Sequence, residues 1–131
     1  MLLIHAHAGP SPIHGLGLIS DQFIPCGTTI WGFQPGFDIA ISEEEHGHLP
    51  PSAQRTVDYY SYHCKAAGLH ILSSDDDRFT NHEENPNSVF IDGVTVATRD
   101  IAAGEEITMD YSDFENLPAL PRELLALISS R

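Results

Sequence analysis

Arg78-Phe79-Thr80-Asn81-His82-Glu83-Glu84-Asn85-Pro86-Asn87 is the least ordinary stretch of this chain. Three asparagines, a histidine and a proline so close together do not suit the interior of a regular strand or helix. Asparagine carries donors and acceptors on one side chain, so such a loop can satisfy a buried polar ligand. The same residues also suit a polar surface turn broken at Asn85-Pro86. Two further segments bear on the choice. Upstream stands His14-Gly15-Leu16-Gly17-Leu18, where the glycines permit either a simple turn or close approach of a ligand to backbone N–H groups. Downstream, residues 97–111 read as a strand, a turn at Gly104, a second strand, then Asp110 and Tyr111. Taken alone, Tyr111 reads as a core aromatic.

Around these segments, short apolar runs are separated by turn residues. Residues 2–6, 16–20, 28–33, 69–72, 89–91, 94–98 and 106–109 read as strands, with 9–12 punctuating the first. Asp92-Gly93 accepts the positive φ angles of a tight hairpin turn. Ser42 and Glu45 form a capping box, opening a short helix that Gly47 and Pro50-Pro51 stop. A second helix is predicted over 52–62, with Val57, Tyr60 and Cys64 on one face. A terminal helix over 121–130 would bury Leu124, Leu125 and Ile128. Many short strands, few short helices and little alternation between them predict a mostly β (α+β), antiparallel-rich fold rather than a doubly wound one. Gly15-Leu16-Gly17 has no long helix after it to receive a pyrophosphate, so no dinucleotide fingerprint is present.

A length of 131 residues fits a single domain over 1–131. The net charge of −13 comes from nineteen acids against six bases. Such a surface repels phosphate backbones, so direct nucleic-acid binding is disfavoured. It attracts Lys- and Arg-rich partners, or it only keeps the chain soluble. No apolar run is long enough for a bilayer, and residues 1–8 lack a basic signal head. The expectation is therefore a cytoplasmic chain (nuclear in a eukaryote) that does not bind membrane. Cys26 and Cys64 are expected as reduced thiols. The eight histidines are scattered without an H-E-x-x-H pair, so no metal is expected.

Together and in this order, G-x-G, R-F-x-N-H-x-x-x-P-N and G-E-E-I-T-x-D-Y resemble the SET-domain protein-lysine methyltransferases. The resemblance runs over about 13–114, and residues 30–38 resemble short stand-alone members from bacteria. It implies the SET fold, small curved sheets with a C-terminal pseudoknot in which the last segment threads under a preceding loop. It implies S-adenosylmethionine as cofactor, leaving S-adenosylhomocysteine, with no metal. Gly15, Leu16 and Gly17 would hold the methionine end, and Asn81 and His82 the adenine and ribose side. Tyr60 and Arg78 would also touch the cofactor, and Phe114 would cover the adenine. Tyr111 matches the catalytic tyrosine and, with Tyr62 and Met109, would line the substrate channel. Met109 stands where the family commonly has Phe or Tyr, and Glu83-Glu84 replace a usual Ser and its neighbour. The implied substrate is the ε-amine of a lysine-rich protein, histone-like, DNA-associated or ribosomal. A homodimer could complete the site, and the helix over 121–130 could close the channel or only cap the core. The alternative reading is a non-catalytic SET module that binds a basic partner.

Overall fold

The computed structural model describes residues 1–129. The elements begin with β1 (Ala6–Pro10), β2 (Leu16–Ser20), β3 (Thr29–Gly32), β4 (Ile39–Ser42), α1 (Glu43–Gly47) and α2 (Pro51–Tyr60). They continue with β5 (Tyr62–Cys64), β6 (Leu69–Leu72), a 3₁₀ turn (Asp76–Phe79), β7 (Asn81–His82), β8 (Ser88–Ile91), β9 (Val94–Ala97) and β10 (Glu106–Met109). Then come α3 (Ser112–Glu115) and α4 (Arg122–Ser129). The strands form three small sheets, ordered β1-β2-β10-β7, β3-β9-β8 and β4-β6-β5. The mostly β (α+β) expectation holds, and so do its clearest local features. Asp92 and Gly93 take φ of 52° and 86° in the β8–β9 turn. The capping box forms, with the Ser42 hydroxyl accepting from Glu45 N–H at 3.0 Å and the Glu45 carboxylate accepting from Ser42 N–H at 3.1 Å. Cys26 and Cys64 are free thiols.

Several expectations are corrected. Of residues 2–6 only Ala6 belongs to the first strand. A short antiparallel bridge joins Leu2 to Trp31, with the Leu3 N–H on the Ile30 carbonyl at 2.8 Å, but the Leu2 N–H goes to the Asp75 carboxylate and the His5 N–H to the Gln22 side chain, so the pairing does not lengthen into a strand. The strand is β1, and it includes Gly9 and Pro10, which sequence reading took as its end. Proline is tolerated there because β1 lies at the edge of its sheet. The second helix stops at Tyr60 because Ser61 turns to extended backbone (φ −91°, ψ 159°). Tyr62 and Cys64 then pair with β6 rather than continuing a helical face. Neither β4 nor β5 was predicted. The asparagine-rich stretch was expected to be irregular throughout, but Asn81 and His82 pair with Thr108 and Met109. On α4, Leu124 and Ile128 are buried in the core, whereas Leu125 is 37% exposed. The predicted last residue of that helix, Ser130, lies outside the described residues. The helix caps the core beside the β8–β9 turn, where a Cβ at Gly93 would sit 3.4 Å from Leu124 Cβ.

The sheets close on one apolar core. Leu18, Ile30, Trp31, Ile101, Ile107, Met109 and Phe114 are each at most 1% exposed. Burying each such side chain contributes roughly 1.5–3 kcal/mol. β10 runs through the middle of this core. It pairs antiparallel with β2, Ile107 opposite Leu18, and parallel with β7 on its other side. A parallel pair needs a long crossover, here supplied by the β8–β9 hairpin. Beyond β7 the chain loops away from β10 and returns at Asn87. There a side chain takes the place of a ladder. Asn87 Oδ1 accepts from the Thr108 N–H at 2.9 Å, and its Nδ2 donates to the Glu106 carbonyl at 2.8 Å. Ser88 adds a bond from its hydroxyl to the Thr108 carbonyl at 2.6 Å. Both ends of the loop are thus fastened to β10.

Asn87 is 1% exposed, so removing its amide strands buried backbone groups. Asn87→Ala should lower unfolding free energy by about 2–5 kcal/mol in chemical denaturation, at unchanged cooperativity. A loss below about 0.5 kcal/mol would mean that the loop is held otherwise.

Candidate functional site

The three segments singled out in the sequence converge, and one side chain joins them. Asn81 Nδ2 lies 3.2 Å from the His14 carbonyl, 3.1 Å from the Leu16 carbonyl and 3.0 Å from Glu106 Oε2. Asn81 therefore ties the glycine loop to the strand that leads to Tyr111. The two glycines are required for different reasons. Gly15 has φ +44°, and a Cβ there would meet nothing within 4 Å, so it supplies a backbone conformation and leaves open space. A Cβ at Gly17 would come within 2.5 Å of Glu106 Oε2 and displace the carboxylate that Asn81 binds. His14 also reaches across the loop, its Nε2 2.6 Å from the Tyr59 hydroxyl on α2.

Tyr111 follows β10 and is anchored twice. Its N–H donates to His82 Nδ1 at 3.1 Å, and its hydroxyl donates to the Thr80 carbonyl at 2.6 Å. Two cavities open at this contact. One, of about 270 Å³, is bordered by Gly15, Leu16, Phe79 and Asn81. The other, of about 310 Å³, is bordered by Tyr62, His63, His70 and Phe114, with Asp58 and Glu115 supplying acids. Tyr59, Tyr60, Arg78, Thr80 and Tyr111 border both cavities. Arg78 sits with its guanidinium carbon 5.8 Å from the Tyr60 ring centre, and its Nη2 donates to the Ser73 carbonyl at 3.0 Å. Arg78 serves both cavities, and among the described residues the carboxylates Asp58 and Glu115 border only the larger one.

Beneath the larger cavity lies a buried acid. Asp77, 3% exposed, accepts from the Tyr62 hydroxyl at 2.8 Å and the Ser73 hydroxyl at 2.7 Å. Burial raises its carboxyl to about 6, against the two hydroxyl hydrogen bonds that favour the charged form. Burial, then the nearby Asp77, also raises the Tyr111 phenol above its ordinary value. Tyr62 is raised further by the same causes. Both phenols are therefore protonated at neutral pH and act as hydrogen-bond donors.

Most of the expected site residues gather here. Gly15, Leu16, Tyr60, Arg78, Asn81 and Tyr111 meet around the smaller cavity, and Tyr62 and Tyr111 around the larger. His82 holds the Tyr111 backbone and Gly17 packs on Glu106, but neither of these two expected cofactor residues borders either cavity. Two further residues lie elsewhere than expected. Phe114 is buried in the core, 4.9 Å from Phe90 and 5.6 Å from Tyr62 between ring centres, and borders the larger cavity rather than the glycine side. Met109 is 1% exposed and reaches neither cavity. Sequence reading missed Thr80, whose carbonyl receives the Tyr111 hydroxyl, because a backbone acceptor leaves no mark on residue type. It also missed Asp77, whose burial the neighbouring acids Asp75 and Asp76 do not signal.

Comparison with known proteins agrees with this geometry. The family model described as SET domain matches residues 15–112. No curated protein matches significantly. Among solved structures, a humanized mutant of the Chaetomium thermophilum Polycomb Repressive Complex 2, bound to an inhibitor, is similar at 19% identity and a TM-score of 0.61. That match covers 88% of this chain and only 16% of the other, so the present chain spans a small part of that protein's length. A Plasmodium falciparum protein assigned as a histone methyltransferase is similar at 23% identity and a TM-score of 0.58, covering 84% of this chain and 95% of that one. At these identities the likeness to both is one of fold.

Asp77 gives the site a pH signature. Its carboxyl titrates near 6 when folded and near 3.8 otherwise, so the folded chain holds the extra proton. That stabilisation is complete below the lower value and is lost as pH rises through the higher one. Asp77→Asn keeps an acceptor for both hydroxyls without the charge. Thermal melts from pH 4 to 8 should show the variant gaining about 1–3 kcal/mol on the native chain at pH 8 and nothing at pH 4. An equal difference at both ends would contradict the assignment.

Proposed function

This chain belongs to the SET-domain family, and on that premise we propose that it transfers a methyl group from S-adenosylmethionine to the ε-amine of a lysine in a basic protein. The observation that carries the proposal is the placement of Tyr111 and Thr80 in the wall shared by two cavities, one bordered by the glycine loop and the other by aromatic rings and two carboxylates. The residues on the glycine side fit the cofactor. Space stands open at Gly15, Arg78 offers a cation to a carboxylate, and Tyr60 offers a ring face or edge. When bound there, the cofactor supplies a methyl carbon on a sulfonium, open to attack by an uncharged amine as the C–S bond breaks.

The chain's own residues do the rest. Asn81 and Glu106 fix the glycine loop, so the backbone beside the cofactor is set before binding. Asp58 and Glu115 draw a lysine ammonium toward the larger cavity, and the net charge of −13 draws a lysine-rich protein toward the surface. Inside, Tyr62 and Phe114 replace water around the amine, and desolvation lowers its pKa from about 10.4. The Tyr111 hydroxyl spends its proton on the Thr80 carbonyl, which leaves its oxygen lone pairs to accept from the amine and orient it. No side chain is needed as a base if water accepts the amine proton. We read the fastening of residues 81–88 onto β10 as the family's pseudoknot, and Phe114 as a wall of the lysine passage. Among the described residues no helix is long and apolar enough to cross a membrane, and the proposal places the chain inside the cell with its basic substrate.

Tyr111→Phe should cut methyl transfer to lysine-rich proteins by roughly 10²–10³-fold. Labelled cofactor binding and the melting temperature should stay near native. If the native chain binds the cofactor yet labels no lysine-rich protein, the binding-module reading replaces this one.

A further inference from the structure

The fold assembles a second polar cluster that the linear spacing of its residues does not reveal. Glu43 and His46 are three residues apart on α1 and therefore share a face. His63 and His70 stand directly opposite each other across β5 and β6, which puts both rings on one side of that sheet. The strand β4 leads straight into α1 and lies beside β6, so the helix face comes down over the two rings. The Glu43 N–H donates to the Gly68 carbonyl at the β5–β6 turn, which fixes the approach. The imidazoles stack in the order His46, His70, His63, with centres 4.7 and 4.1 Å apart.

The central ring is the anomaly. His70 is 4% exposed, and its Nε2 is buried without a hydrogen-bond partner. That nitrogen sits 3.2 Å from Glu43 Oε1, an oxygen that already accepts from His63 Nε2 at 2.6 Å. On the other side of the ring, Nδ1 lies 3.3 Å from the Ser61 hydroxyl. The in-plane direction of Nε2 misses the Glu43 oxygen, so the nitrogen is buried with its hydrogen-bonding capacity unmet. A cation beside this nitrogen and the carboxylate would satisfy both as a shared pair of ligands. Two ligands of one tetrahedral zinc stand roughly 3.3 Å apart, close to the spacing found. One ring nitrogen of His46 joins the set, all three ligand atoms lying within 4.8 Å of one another. His46 is held in place by Asp58, 2.8 Å from its Nε2, as metal-binding histidines commonly are by a carboxylate.

We propose that Glu43, His46 and His70 form a site for a divalent transition metal of the zinc class, with His63 and Asp58 orienting the ligands. Two imidazoles and a carboxylate suit such a borderline ion and leave a fourth position open. A hard ion such as Mg²⁺, which prefers an all-oxygen shell, does not fit. Because His63 and His70 border the larger cavity, the metal clips α1 to the wall of that cavity.

The test is calorimetric titration of the metal-stripped chain with ZnCl₂ and with MgCl₂, alongside melting curves. The expected result is one tight zinc equivalent, a rise in melting temperature, and no comparable binding of Mg²⁺. Glu43→Gln and His46→Gln lie on an exposed short helix. Each should weaken zinc binding on the order of tenfold or more while melting like the native chain in chelator. Absence of zinc binding overturns the proposal. So does zinc binding that both variants retain in full, since that places the ion on other histidines. These readouts need no methyl transfer, so they stand whatever that assay gives.

Discussion

Everything at the candidate site depends on how the segment from Asn81 to Ser88 is held against β10. A two-residue parallel ladder is a weak attachment by itself, and the chain supplements it with amides. Asn81 spends its Nδ2 on carbonyls of the glycine loop and on Glu106, and Asn87 spends both ends of its side chain on the backbone of β10. These groups are buried, so each bond left unmade would cost a desolvation penalty with no return. The loop therefore has one satisfied arrangement. It brings the Thr80 carbonyl to the residue that follows β10, and the Tyr111 hydroxyl closes the contact.

From that closure the two cavities follow. Tyr111 and Thr80 form a partition, and the rest of the shared wall comes from the end of α2 and from Arg78. The lining then differs between the two. The glycine side exposes loop backbone, the other exposes carboxylates above an aromatic floor, and the Arg78 guanidinium borders both. Asp77 lies under that floor and bonds the Tyr62 hydroxyl, so the floor's rigidity depends on a buried acid that resists ionisation. A partition of this kind suits a reaction in which two reactants must approach one another in line from opposite sides.

Much of the fold was legible because it rests on local chemistry. Asp92-Gly93 had to turn and Ser42-Glu45 had to cap, since each satisfies its own backbone within four residues. The G-x-G, N-H and D-Y segments were legible because their residue types are rare in combination. What stayed hidden is non-local. Tyr62–Cys64 continues an apolar spacing that looks helical until Ser61 turns extended, and only pairing with β6 makes it a strand. Pro10 reads as a break until β1 is known to be an edge. Phe114 could have stood on either side of Tyr111, and its contacts with Phe90 and Tyr62 put it at the edge of the core beside the larger cavity. Glu43, His46, His63 and His70 carry no recognisable spacing, because β-pairing and a helix approach bring them together.

The most direct measurement is a crystal structure of this chain with S-adenosylhomocysteine and a lysine-containing peptide. The account predicts the nucleoside product beside Gly15 and Leu16, and the lysine side chain entering past Tyr62 and Phe114 with its nitrogen at the Tyr111 hydroxyl. Both ligands on the same side of Tyr111, or the lysine arriving through the glycine-side opening, would contradict it.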